Sequence, residues 1–267
     1  MDRKSSWKSS RNEVKEVFLE VDGLKLRGEI YPPQGEGPFP VLCLCHGIPA
    51  RPPDPSDPGY RALAERFSQE GFLSFIFNFR GAGESEGNLD LLGWTRDLGA
   101  VLDWLGSLEE VDQARVSVMG FSGGAAVAVY VAAHDTRVKS VVACACPAEF
   151  TFSPEEMLRQ AREVGTIRDP DFPPSFEEWA QGLKEVSPIR FIDRISPRPL
   201  LILHGESDEL IDPSQALRLY EKAREPKEFI LIHGAGHRLR LSREAMEAAA
   251  RWLKRVNRMV RNEHSLH

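Results

Sequence analysis

The sequence predicts an α/β protein: a mostly parallel eight-stranded sheet with helices on both faces and a short helical lid inserted near the middle. Three observations carry this. Short apolar runs alternate with segments of helical period along most of the 267 residues, the pattern of strands joined by crossover helices. Later runs such as "VLCLC" and "LLIL" are apolar at nearly every position, as strands buried on both faces require. One run, "RVSVM", passes through "GFSGG" into "AAVAVYVAA", so that strand, tight turn and helix follow without a residue between them.

Residues 14–21 and 24–31 alternate apolar and polar side chains across an Asp-Gly pair, the signature of a hairpin. Further strands are expected at 40–45, 73–78, 115–119, 139–145, 199–203 and 227–232. Helical period is clearest over 90–107, where Leu91, Trp94, Leu98, Val101 and Leu105 recur at three or four. It returns over 242–260, where Ser242 caps a stripe of Ala245, Ala248, Trp252 and Val256. The alternation breaks once, between Pro147 and Pro197. There "SPEEMLRQAREV" has Ser153 as cap and Pro154 at the first helical position, and "SFEEWAQGLKEV" opens on a Ser175/Glu178 capping box. This division predicts a flexible basic tail over 1–13, a core over 14–146 and 198–262, and a helical lid over 147–197.

Composition excludes several classes. A hydrophobic content of 42% with 28% charged residues is ordinary for a globular enzyme. The net charge of -6 gives no electrostatic reason to expect nucleic acid as a partner. The opening "MDRKSSWKSSR" carries four Lys/Arg against one Asp, but no apolar stretch follows as a secretory signal would need. No apolar run approaches the ~18 residues of a membrane span. Cys43, Cys45, Cys144 and Cys146 all sit in apolar runs, where residues two apart share one face of a strand and a free thiol packs as a small hydrophobe. No metal site is expected from them, and a reducing, cytoplasmic setting is.

Two serines fit the pattern G-x-S-x-G, Ser122 in "GFSGG" and Ser85 in "GESEG". A hydroxyl is a poor nucleophile unless a base takes its proton and paired donors hold the oxyanion. A sharp strand-to-helix turn supplies such geometry at its apex, where Ser122 lies. Ser85 follows its strand at several residues' distance, between Glu84 and Glu86, whose charges oppose a developing anion; it reads as a loop serine. The neighbouring "RGAGESEG" departs from the dinucleotide fingerprint by one spacing and is rejected as one. If Ser122 is the nucleophile, an acid and then a histidine must follow at strand ends. "HGESDELID" offers Glu206, Asp208, Glu209 and Asp212, and "HGAGH" offers His233 and His237.

From about Val14 to Val260 these residues resemble the α/β-hydrolase superfamily, and within it the bacterial esterase-like members with a small helical lid. The resemblance implies a catalytic triad of Ser122, Asp208 and His237. It also implies an oxyanion hole from the backbone N–H groups of Ile48, after the "HG" of "VLCLCHGIPA", and Gly123. His46 would shape that loop, Arg80 would pin loops, and Tyr60 would border the pocket. The lid aromatics Phe150, Phe176 and Trp179 are expected to join Tyr60 as substrate contacts. The implied activity is hydrolysis of carboxylic esters through an acyl-enzyme, on a small-molecule ester or acyl substrate, with no cofactor. The same triad serves thioesterases and peptidases, and a ligand sensor that scarcely turns over is a reading from another class. Oligomeric state is not legible.

Overall fold

The computed structural model describes residues 13–51 and 57–264. The expected basic tail, apart from Glu13, lies outside them. Strands β1 (Lys15–Val21) and β2 (Leu24–Tyr31) form the expected antiparallel hairpin. Its turn residues Asp22 and Gly23 have φ of 53° and 75°, the left-handed pair that a two-residue hairpin loop requires. Then come β3 (Phe39–Cys45), α1 (Gly59–Gln69), β4 (Leu73–Phe77), α2 (Leu91–Gly106), β5 (Val111–Phe121), α3 (Gly123–His134) and β6 (Ser140–Cys144). The inserted helices α4 (Pro154–Val164) and α5 (Phe176–Glu185) follow, and β7 (Leu200–Gly205), α6 (Pro213–Lys222), β8 (Lys227–Ile232) and α7 (Arg243–His264) complete the chain.

All eight strands join one sheet in the order β1-β2-β4-β3-β5-β6-β7-β8. The pairs from β4 through β8 are parallel, while β2 joins β4 antiparallel. On one face α2, α3 and α6 bury Trp94, Leu98, Val127 and Leu219. On the other, α1 and α7 bury Phe67, Leu63, Trp252 and Leu253. The chain leaves β3 for β4 on one side and returns to β5 on the other, so the ordering reverses at β3. Carboxyl ends of parallel strands diverge there and open a crevice.

Three elements exceed their expected bounds by more than one residue. β5 begins at Val111 because backbone pairing to Phe39 carries it past the polar "DQAR", which offers no apolar pattern. β7 runs on through His204 and Gly205, paired to Leu231 and Ile232. α7 continues four residues beyond the expected end at 260, to His264. β6 stops one residue short of the expected 145, because Ala145 turns to a φ of 47°.

The insertion forms the two expected helices. Ser153 Oγ accepts the Glu156 N–H at 3.3 Å and Ser175 Oγ accepts the Glu178 N–H at 3.2 Å, satisfying donors that a helix start leaves open. α5 packs on α2, and Trp179 Nε1 donates to the Leu89 carbonyl at 2.8 Å. Arg168, between the helices, donates to the carbonyls of Ser85 and Gly83. The segment is thus fastened to the loop after β4. Among the described residues no helix is long and apolar enough to cross a membrane.

Candidate active site

Ser122 occupies the single residue between β5 and α3, with φ 53° and ψ -124°. This conformation costs an L residue about 1–3 kcal/mol and persists only where surroundings enforce it. Here the Ser122 N–H donates to the Cys144 carbonyl at 2.9 Å, while the Ser122 carbonyl accepts from Ala125 and Ala126. Two glycines make the turn possible. A Cβ on Gly120 would fall 2.5 Å from Ala125 Cα, and one on Gly124 would fall 2.1 Å from the His46 carbonyl oxygen. Backbone crowding, not chain flexibility, dictates glycine at both places.

The other serine is locked away. Ser85 is fully buried; its Oγ donates to the Asn78 carbonyl at 2.6 Å and accepts the Arg27 N–H at 2.9 Å. It is the loop serine the sequence suggests.

Asp208 and His237 meet across the ends of β7 and β8. His237 Nδ1 lies 3.0 Å from Asp208 Oδ1 and 2.9 Å from Oδ2. The Asp208 side chain is wholly buried and that of His237 is 14% exposed. Burial opposes charge on Asp208. Contacts from His204 and His237 and the Ile211 N–H outweigh it and hold the carboxyl well below the usual carboxylate range. A carboxylate so placed fixes the ring so that Nε2 is left for proton transfer. The alternatives lie elsewhere: Asp212 caps α6 by accepting from the Ser214 N–H, and His233, 89% exposed, contacts Glu206 on the surface.

A cavity of about 840 Å³ opens at the crevice, and Ser122 and His237 both line it. The Ser122 hydroxyl has no hydrogen-bond partner among the described residues; hydrogen bonds between catalytic groups often tighten only when substrate engages. Ile48 lines the same cavity. A Cβ on Gly123 would fall 2.7 Å from Ile48 Cγ1 and 3.6 Å from the Ile48 backbone N, so Ile48 lies against Gly123 next to the serine. Neither N–H meets an acceptor among the described residues.

His46 holds this loop, as the sequence reading expects. Its Nε2 accepts the Phe79 N–H at 3.1 Å, so Nδ1 carries the proton and donates to the Gly47 carbonyl at 2.7 Å. Burial lowers its pKa to about 4, and it stays neutral. Tyr60 lines the cavity and accepts the Gly47 N–H at 3.3 Å; burial raises its pKa. Arg80 pins loops through Asp97 Oδ1, at 2.7 Å, and Asp22 Oδ2, at 2.9 Å, tying α2 to the hairpin turn.

A model of the α/β hydrolase fold matches residues 40–180, more than half of the chain, from β3 through the serine turn and into α5 of the insertion. The chain belongs to the α/β-hydrolase fold family. The Rv2307c protein of Mycobacterium tuberculosis is 30% identical over 227 residues, covering 84% of this chain and 72% of the relative. Among solved structures, the α/β hydrolase GrgF from Penicillium sp. superposes with a TM-score of 0.72 at 22% identity, covering 91% of this chain and 99% of that one. The Pyrococcus furiosus esterase Pf2001 gives 0.70 at 22% identity, covering 92% and 91%.

In this α/β hydrolase the lid aromatics fall outside the expected place. Phe150, Phe176 and Trp179 do not line the cavity, and no residue of 147–197 does. Trp179 is buried against Leu89, and Phe150 and Phe176 pack on the α2–α3 side of the core; the cavity instead opens towards α1, with Tyr60 and Leu239 in its wall. A stripe at helical spacing serves packing here. Sequence reasoning also missed the charged lining. Arg240 pairs with Asp57 through Nη1 at 2.6 Å, and Arg61 contacts Glu29 at 2.5 Å; all four border the cavity. Among the described residues no group of three or more His, Cys, Asp or Glu converges as a metal would require.

Proposed function

We propose that this protein is a serine hydrolase that cleaves carboxylic esters of small molecules through an acyl-enzyme. One observation carries the reading: Ser122, at a strained strand-to-helix apex, shares a cavity with His237, whose Nδ1 is bonded to the buried Asp208. In the first half-reaction Ser122 Oγ attacks the ester carbonyl while His237 Nε2 takes its proton. Asp208 holds the imidazole orientation and balances the imidazolium. The backbone N–H groups of Ile48 and Gly123 receive the oxyanion. Collapse of the tetrahedral adduct expels the alcohol, protonated by His237. Water then attacks the acyl-enzyme with His237 again as base, releasing the acid and restoring Ser122.

The cavity falls in the range that encloses small-molecule ligands, about 300–1,000 Å³, and its mixed charged and apolar wall suits short, polar esters better than long acyl chains. Steady-state hydrolysis of p-nitrophenyl esters from acetate to decanoate tests this. Turnover that is greatest on the short esters and abolished in His237→Ala supports the proposal. A wild-type protein that binds these esters without hydrolysing them is a sensor and not a hydrolase.

A further inference from the structure

Asp208 meets two imidazoles, and only His237 takes part in the proposed reaction. The second is His204, the penultimate residue of β7, with a side chain at 0% exposure. Its Nε2 lies 2.8 Å from the Ile211 carbonyl oxygen and 3.2 Å from Asp208 Oδ2. A carbonyl oxygen can only accept, so Nε2 carries a hydrogen. Nδ1 is buried, and no atom of the described residues partners it. An orphaned buried polar atom is destabilising and rare in folded proteins. An apolar side chain would fill the same space without that penalty, so packing alone does not account for a histidine here.

The carboxylate beside it does. Asp208 Oδ1 accepts the N–H groups of Leu210 at 3.0 Å and Ile211 at 2.9 Å. His237 Nδ1 faces both oxygens, Oδ1 at 3.0 Å and Oδ2 at 2.9 Å, and His204 Nε2 lies 3.2 Å from Oδ2. We propose that His204 is a positioning residue of the triad: its Nε2–H bridges the Ile211 carbonyl and Asp208 Oδ2, closing the 208–211 turn and fixing the rotation of the carboxylate that His237 meets with both oxygens. This inference rests on the triad reading. Without His204, Oδ1 keeps its two backbone donors, so the carboxylate remains in place while Oδ2 loses its second restraint. The consequence falls on proton transfer and not on substrate binding.

Three variants test it: His204→Leu removes the donor, His204→Gln can place an amide N–H near the Nε2 position, and His204→Asn cannot reach that far. Active sites are counted with a fluorophosphonate, kcat and KM are measured on p-nitrophenyl acetate, and the downfield proton resonance of His237 Nδ1–H is followed by NMR. His204→Leu should lose roughly 10- to 100-fold in kcat per titrated site, with KM within about twofold and a displaced downfield resonance. His204→Gln should recover most of the loss. A His204→Leu protein with unchanged kcat per titrated site and an unchanged resonance overturns the inference, whatever its melting temperature. If His204→Leu does not fold, Gln and Asn variants of equal kcat and equal resonance do the same. A wild type that neither labels nor turns over contradicts the triad reading instead, and the resonance still decides whether His204 holds the Asp208–His237 pair.

Discussion

His46 shows how one buried side chain can set both the shape of a site and the pH range of the fold. Its ring joins the Gly47 carbonyl to the Phe79 N–H, so the loop that leads to Ile48 hangs on a neutral imidazole. Burial lowers its pKa from 6.5 to about 4, and the unfolded chain therefore binds a proton there at a higher pH than the folded one. Stability is fully present above 6.5 and is lost as pH falls from 6.5 towards 4, by on the order of 2 kcal/mol at pH 5. Asp208, held below its ordinary range, acts in the same sense but only beneath about pH 4. Denaturant melts at pH 7 and pH 5 check this: the wild type should weaken between them, and His46→Gln should weaken much less. The neighbouring Ile48 N–H meets no acceptor among the described residues. Ile48→Pro therefore breaks no fold hydrogen bond, and a loss of roughly 10² or more in kcat with a near-native melt is expected if this N–H binds the oxyanion.

At the scale of elements, glycine positions separate what the turn demands from what a helix tolerates. A Cβ on Gly124 would collide with backbone, 2.1 Å from the His46 oxygen and 2.7 Å from that of Cys45, so α3 would have to move off β3. Gly124→Ala should cost more than about 2 kcal/mol and most of the activity. Gly99, inside α2, has nothing within 4 Å of its added Cβ, and Gly99→Ala should stabilise by about 0.5–1 kcal/mol. Paired chemical denaturation curves give both values. The strands and helices were largely legible because their apolar spacing is set by burial. β5 was shortened in the sequence reading because Val111 pairs with Phe39 across a register shift, and the intervening Asp112, Gln113 and Ala114 carry no alternating apolar pattern. The serine turn was legible because three of its constraints, strand, glycines and helix, are local.

For the whole molecule, the three residues proposed as a triad were legible because each follows a strand, yet contacts across the chain stayed hidden. Arg240 and Asp57 meet from 183 positions apart, and nothing in "HRLRL" or "PSDPG" announces it. His204 lay in plain view in "LLILHGESD", but an apolar run hides whether its histidine faces a carboxylate. The insertion departs from the expected contacts: Trp179, Phe176 and Phe150, expected to meet substrate, buttress the core instead. Phe176→Ala should accordingly leave kcat/KM on short esters within about threefold of wild type while lowering stability by about 1–3 kcal/mol. Tyr60→Phe, in the cavity wall and bonded to the Gly47 N–H, should reduce kcat/KM more than Phe176→Ala does, which steady-state kinetics on both variants would compare.

The central claim is that Ser122 becomes acylated, and it is tested most directly by quenching the protein during turnover of a slow ester and mapping the added mass by peptide mass spectrometry. The acyl group is expected on the peptide holding Ser122, absent in Ser122→Ala, whose kcat should be lower by on the order of 10⁴ to 10⁶. Acylation at another residue, or a Ser122→Ala protein that keeps wild-type turnover, would contradict the account.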